Sequence, residues 1–270
     1  MHAETPKHYP SDLSESQYQR LNRLLPPPRS GKGKPGRPSI NRHQLLNGLM
    51  YVVKTGCQWR QLPREFGKWQ TLYGYYRKWS KSGVWYEVME QLIELDRRRL
   101  DRHKQASAGC VDSQSVKTAT QGLSVGFDGG KSVKGRKRHI LTDTLGSILC
   151  VVVTAADVGD RKGLRLLLKR WFILGLRRIR KIWVDGGYGG KPLKRWVAQL
   201  KRTHKIELEV VKHAGKGKGF QLVAKRWVVE RTFSWLFKFR RHSKDYELLT
   251  QNSEAMIQIA MCSILIRRLA

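Results

Sequence analysis

Residues 109–117, GCVDSQSVK, and residues 179–190, IRKIWVDGGYGG, decide the class of fold. In each, a short apolar run (Cys110 and Val111, then Ile182, Trp183 and Val184) ends on an aspartate that meets turn-forming residues. Ser113 follows the first aspartate, and glycines at 186, 187, 189 and 190 follow the second. Apolar runs of this length bounded by turn signals read as strands. Between them, residues 138–142 and 148–154 flank a Leu145-Gly146 turn and predict a hairpin. Residues 206–211 predict a further strand. Helical periodicity occupies 162–172, with Asp160 as its N-cap, then 193–202, 224–239 and a C-terminal stretch opened by Ser253. The order β, ββ, α, β, α, β, α predicts an α/β unit, a mixed sheet with flanking helices.

Towards the N-terminus the pattern becomes helical. Asn41 caps a helix that carries Leu45, Leu49, Val52 and Val53 on one face and ends near Gly56. Pro63 opens a second, and after Gly67 a third aligns Trp69, Leu72, Tyr73 and Tyr76, leaving Arg77, Lys78 and Lys81 elsewhere. A fourth, 85–102, buries Trp85, Val88, Met89 and Leu92 before periodicity lapses near Ser107. Three parts follow: a mobile basic arm or linker, 1–40; a small all-α, helix-turn-helix-like domain that binds DNA ends, 41–106; and the α/β domain, 107–270. In the arm, the PPPRSGKGKPGRPS stretch (26–39) excludes regular structure and offers Arg37 to a narrow minor groove. A solvated linker and an all-helical spacer are the plainer alternatives for these two parts.

The charge points to nucleic acid. The 270 residues hold 53 Lys+Arg against 21 Asp+Glu, a net charge of +32, and repulsion on that scale is relieved by a polyanion. Both halves share the surplus: 20 basic and 9 acidic groups in residues 1–104, then 33 and 12 in 105–270. Nine Trp and 40% hydrophobic residues exclude a disordered basic tail. The four cysteines, Cys57, Cys110, Cys150 and Cys262, are far apart in apolar runs and predict neither disulfides nor a zinc site. The longest apolar stretch, 256–266, is shorter than the roughly 20 residues that span a bilayer, and no apolar leader opens the chain. The expected location is the cytoplasm of a bacterium, on the nucleoid.

Acids are scarce enough that their positions carry information. Asp112 and Asp185 leave apolar runs, and Glu230 sits in the 224–239 helix on the side opposite Val228, Thr232, Trp235 and Phe239. The three are 73 and 45 residues apart, with basic loops between. Taken alone, each has an ordinary alternative: a turn-former, a strained turn, or a surface pair of Glu230 with Arg226 four residues before it. As a set they suit carboxylate chemistry on phosphodiesters.

The segments VDSQSVK, GGKSVKGRKRHILTDTLGSIL, VDGGYGG and RWVVERTFSWLFKFRRHSKDYE resemble the DDE transposases of bacterial insertion sequences, in particular the insertion-sequence-five family. Residues 36–79, GRPSINRHQLLNGLMYVVKTGCQWRQLPREFGKWQTLYGYYRKW, resemble that family's N-terminal region. The resemblance implies a ribonuclease H-like catalytic domain in which Asp112, Asp185 and Glu230 form the triad and hold two Mg2+ ions, or Mn2+ in their place. It implies binding to the terminal inverted repeats of the element and to target DNA, metal-dependent strand cleavage and strand transfer, and a dimer or higher oligomer on DNA. Arg226 and Glu230 keep the Arg-x3-Glu spacing of the family's helical signature. Val223 stands where that signature has Tyr, and Lys238 falls one place beyond its basic residue.

Lys134, Arg136, Lys137, Arg138 and His139 are expected as clamps on the DNA backbone, Lys216 and Lys218, in the glycine loop HAGKGKG, as phosphate contacts, and Arg77, Lys78, Lys81, Arg226 and Lys238 as further DNA contacts. That loop lacks the ending of a nucleotide-binding P-loop, so no ATP is expected. Trp235 reads as core. A DNA-binding repressor without catalysis and a metal-dependent nuclease that cuts but does not join are the competing functions. Loss of the acids would mark the first, and only products separate the second.

Overall fold

The computed structural model describes residues 9–28, 40–119, 123–175, 178–188, 191–211 and 226–270. Helix α1 (Glu15–Leu24) lies inside the stretch expected to be a mobile arm. Ser14 and Gln17 form a reciprocal capping box at its start, and Leu21 is fully buried. Helix α2 (Arg42–Thr55) begins and ends where its caps predict: the Asn41 side chain accepts from the His43 and Gln44 amides, and Gly56 turns left-handed at φ 71°. The helix expected at Pro63 is absent. Two 3-10 turns, Trp59–Gln61 and Arg64–Phe66, stand there instead, because Pro63 is extended and Gly67, at φ 91°, stops the chain after three residues. Helices α3 (Trp69–Lys81) and α4 (Val84–Arg99) follow, with Leu72, Tyr76, Trp85, Val88, Met89 and Leu92 buried.

The sheet comprises β1 (Ala108–Lys117), β2 (Gly126–Asp128), β3 (Val133–Asp143), β4 (Ile148–Ala155), β5 (Lys181–Val184) and β6 (Glu207–Val210). Helices α5 (Asp160–Ile173), α6 (Lys191–His204), α7 (Trp227–Phe237) and α8 (Thr250–Arg268) complete the described elements. Strand β3 pairs antiparallel with β1, β2 and β4, and β1, β5 and β6 run parallel, so the sheet is mixed as expected. Strands β1 and β3 outrun their apolar runs. Their ladder continues from Gly109 opposite Asp143 to Lys117 opposite Gly135, so Asp112 lies in mid-strand opposite Ile140 rather than at a strand end. Ladder and burial override the low apolar content of these ends. Likewise α5 starts at Asp160 itself, with Gly159 as the cap.

Side-chain alternation along β3 gives the two faces of the sheet different covers. His139 meets Gly163 of α5 on one face, while Arg136 and Arg138 reach residues 242–248, beside α7 and α8, on the other. Helix α8 packs on β4 and on α1, α2, α3 and α4, so helical and sheet parts share one hydrophobic core. Among the described residues no helix is long and apolar enough to cross a membrane.

Candidate active site

Three elements bring the acids together. Asp112 projects from β1 towards α7, Asp185 follows the last residue of β5, and Glu230 occupies the first turn of α7. The helical repeat sets Arg226 one turn before Glu230, on the same side. Its Nη2 lies 3.5 Å from Asp112 Oδ2, 3.9 Å from Asp185 Oδ2 and 3.6 Å from Glu230 Oε1. One buried guanidinium therefore sits among three carboxylates from three separate stretches of chain. The acids grow more open outwards, with side-chain exposures of 18%, 35% and 42% for Asp112, Asp185 and Glu230.

Burial pushes the Asp112 carboxyl up to about 6. Its own Ser113 amide, donating at 2.7 Å, and the Arg226 charge pull it down, while Asp185 pushes it up. A carboxyl so placed keeps its proton to higher pH than a free one, and further positive charge nearby would help release it. On the opposite face of β1, the Ser113 hydroxyl donates to Asp160 Oδ1 at 2.6 Å, and Lys131 Nζ donates to the Ser113 carbonyl at 3.2 Å. Lys137 Nζ lies between Asp128 Oδ2 at 2.9 Å and Asp160 Oδ1 at 3.8 Å. Sequence reasoning passed over Asp160, Lys131 and Asp128. Asp160 read as a cap, and only the position of α5 beside β1 reveals it as a fourth acid near the triad.

The donor set is all carboxylate oxygen, the chemistry that hard divalent cations take, and it already surrounds a positive charge. The residues present thus fit such an ion in kind. The spacing is that of a guanidinium shell: among the described residues no three acid, His or Cys side chains are drawn together closely enough to hold an ion.

The expected DNA contacts divide. Arg77, Lys78 and Lys81 are exposed on α3 and, with Trp69, Tyr73 and Asn252, line an open groove of about 760 Å3. Lys134 is exposed on β3. Lys238, at the end of α7, is exposed too, and its carbonyl accepts from Lys54 Nζ at 3.1 Å. Four expected clamps are corrected. Arg136, Lys137, Arg138 and His139 are all buried, and β3 turns their polar groups inward. Arg136 binds Asp245 at 3.1 Å, Lys137 binds Asp128, Arg138 donates to the His242 carbonyl at 3.0 Å, and His139 shares a hydrogen bond with Thr154. Arg226, expected as a DNA contact, is buried at the acids instead. Trp235 is half-buried, between Arg231 and Arg268 at 4.6 and 4.5 Å from its ring. Arg37, Lys216, Lys218 and Val223 lie outside the described residues.

Residues 103–265 match the family described as "Transposase DDE domain", which implies a ribonuclease H-like fold for this stretch. Residues 13–89 match a second family, described as "Putative transposase of IS4/5 family". Two proteins of Burkholderia cepacia are similar. An "Insertion element IS402 uncharacterized 16.2 kDa protein" is 36% identical over 106 residues, 38% of this chain and 71% of that protein. A "Putative transposase for insertion sequence element IS402" is 34% identical over 136 residues, 48% of this chain and 62% of that protein. "Uncharacterized protein y4sN" of Sinorhizobium fredii is 30% identical over 80 residues, 30% of this chain and 62% of that protein. No solved structure matches.

Proposed function

The chain belongs to the DDE transposases of insertion sequences, and from that premise we propose that it binds the terminal inverted repeats of its element and catalyses cleavage and transfer of their strands. The observation that carries the reading is the meeting of Asp112, Asp185 and Glu230 around Arg226. The family generally uses divalent metal. Asp112, Asp185 and Glu230 would hold Mg2+, which when bound supplies Lewis-acid charge to the attacking and leaving oxygens of an in-line displacement.

The chain's own residues do the rest. The three carboxylates would fix where the scissile phosphate sits, through the cation they would hold. Arg226, within ion-pair distance of all three acids, keeps them convergent while DNA is absent. Lys131, held at the Ser113 carbonyl, adds charge on the other side of β1. Water attacks at the element end and leaves a 3′-hydroxyl. That hydroxyl then attacks a phosphodiester of target DNA at the same place, joining to its phosphorus as the target's own P–O3′ bond breaks and leaves a 3′-hydroxyl, without a covalent enzyme intermediate. The helices α2 to α4 act as the helix-turn-helix-like end-binding part, with Arg77, Lys78 and Lys81 of α3 as its phosphate contacts. Two or more protomers bring the two ends together.

The test is excision and insertion of the marked native element in cells, with wild type beside Asp112→Asn, Asp185→Asn and Glu230→Gln, after each variant has been shown to bind end DNA. Mobilisation by wild type alone supports the reading. Variants as active as wild type would overturn the triad. A wild type that binds ends but never cuts them would instead mark a repressor, and one that cuts but never joins them a nuclease.

A further inference from the structure

Helices α5 and α6 run side by side on one face of the sheet. Arg165 of α5 stacks on Trp196 of α6 at 5.6 Å, and Phe172 of α5 stacks on His204 of α6 at 4.1 Å between ring centres. Between and beyond them lie two adjoining grooves, of about 450 and 500 Å3, which share Phe172 and His204. Arg165, Lys169 and Lys205 line this channel, and among the described residues no Asp or Glu lines it. Helix α5 starts beside the acid cluster. Asp160, bonded to Ser113 beside Asp112, is the first residue of α5, and Lys191, six residues beyond Asp185, is the first of α6.

We propose that the α5–α6 channel is a track for the phosphate backbone of double-stranded target DNA, leading away from the catalytic carboxylates. The inference rests on the transposase reading and adds to it the surface that receives the second DNA. Three observations select the occupant. Among the described residues the charged groups that line the channel are all basic, which suits a polyanion. Its aromatic rings are already covered by its own cation and imidazole, so they brace those groups and leave no open face for an unpaired base. Its polar groups are chiefly long cations, which hold phosphates without reading sequence, as a target of arbitrary sequence requires. The element ends are assigned above to the helical part that carries α3, on another part of the molecule.

The experiment compares the full-length wild type with Arg165→Gln/Lys169→Gln/Lys205→Gln and with Arg77→Gln/Lys78→Gln/Lys81→Gln. The probes are a short duplex of arbitrary sequence and one carrying the terminal repeat, each over a range of salt. Losing three phosphate contacts lowers the slope of log affinity against log salt by about 2 to 3. The track variant is expected to show that drop on the arbitrary duplex, to keep preferential binding of the repeat, and to melt at the wild-type temperature. Strand transfer of pre-cut ends into the arbitrary duplex should fall with it, and Arg165→Lys/Lys169→Arg/Lys205→Arg should restore both. Wild-type affinity and slope on the arbitrary duplex in the track variant would overturn the proposal, as would equal loss on both duplexes. A wild type that shows no preference for the repeat and moves no DNA sinks the transposase activity instead, and leaves the track to be judged on the arbitrary duplex alone.

Discussion

Arg136 shows why a basic cluster is ambiguous in sequence. In GRKRHIL it reads as a phosphate clamp, yet strand alternation drives it fully inside. There its guanidinium donates to Asp245 Oδ1 at 3.1 Å, to Ser253 Oγ at 3.0 Å and to the Glu247, Leu248 and Leu123 carbonyls, each at 2.7 Å. Asp245 is 109 residues away, so nothing local announces the pair. Removing one partner of a buried pair leaves an uncompensated charge, which costs about 3–5 kcal/mol. Arg136→Met is therefore expected to lower unfolding free energy in urea by about that much, and adding Asp245→Asn should return part of it. The neighbouring His139 makes a pH prediction. Burial lowers its pKa from 6.5 to about 4, against the pull of Asp160. The unfolded chain then takes up a proton below 6.5 that the folded chain refuses until about 4. Stability should fall as pH drops through this window, by about 3 kcal/mol at 1.36 kcal/mol per unit. His242, also buried and lowered, acts in the same direction. Urea melts between pH 7 and 4 check this: His139→Asn should flatten part of the decline, and an unchanged pH profile would refute it.

At the scale of elements, legibility follows how local the cause is. Helix α2 is written in Asn41, Leu45, Leu49 and Gly56, all within one segment, and it forms where they say. The polar half of β3 and the short β2 are not legible, because their strand state comes from pairing with β1 and with each other. Gly163 illustrates the same dependence. It reads as an indifferent residue inside the helical pattern of 162–172, but a Cβ there would lie 2.1 Å from the His139 ring, because α5 rests on β3 at that point. Overpacking of this kind typically costs 1–3 kcal/mol. Gly163→Ala should thus destabilise by that order, whereas Gly74→Ala, which meets open space on α3, should raise stability slightly. Thermal denaturation of the two variants side by side decides the matter, and equal behaviour would contradict the described packing. The candidate site divides along the same line. Asp112, Asp185 and Glu230 stand out because acids are rare in this chain, whereas the position of Arg226 among them depends on three elements meeting.

At the scale of the molecule, the division into an end-binding part and a catalytic part concerns function more than folding. Composition changes near Ser107, which is why the sequence reads as separate domains. The C-terminal helix α8 nonetheless buries Met256, Ile257, Ile259, Ala260, Met261 and Leu265 in a core that also holds Leu45, Leu49, Trp85 and Leu92. Tyr76 of α3 donates to the Asn252 carbonyl at 2.7 Å, and Arg267 of α8 donates to the Ser11 carbonyl at 2.9 Å, ahead of α1. A fragment of residues 41–106 would expose the faces that α8 covers, and so small a chain has little other apolar area to bury. It is expected to show no cooperative melt by circular dichroism, and adding a peptide of residues 248–270 should increase its helicity. In the full chain, circular dichroism and tryptophan fluorescence should report a single coincident transition, because the tryptophans span both parts. A fragment that melts cooperatively alone, or two separate transitions in the full chain, would show that the shared core does not couple the two parts. DNA bound at α3 would then have no packed route through α8 to the sheet that carries Asp112.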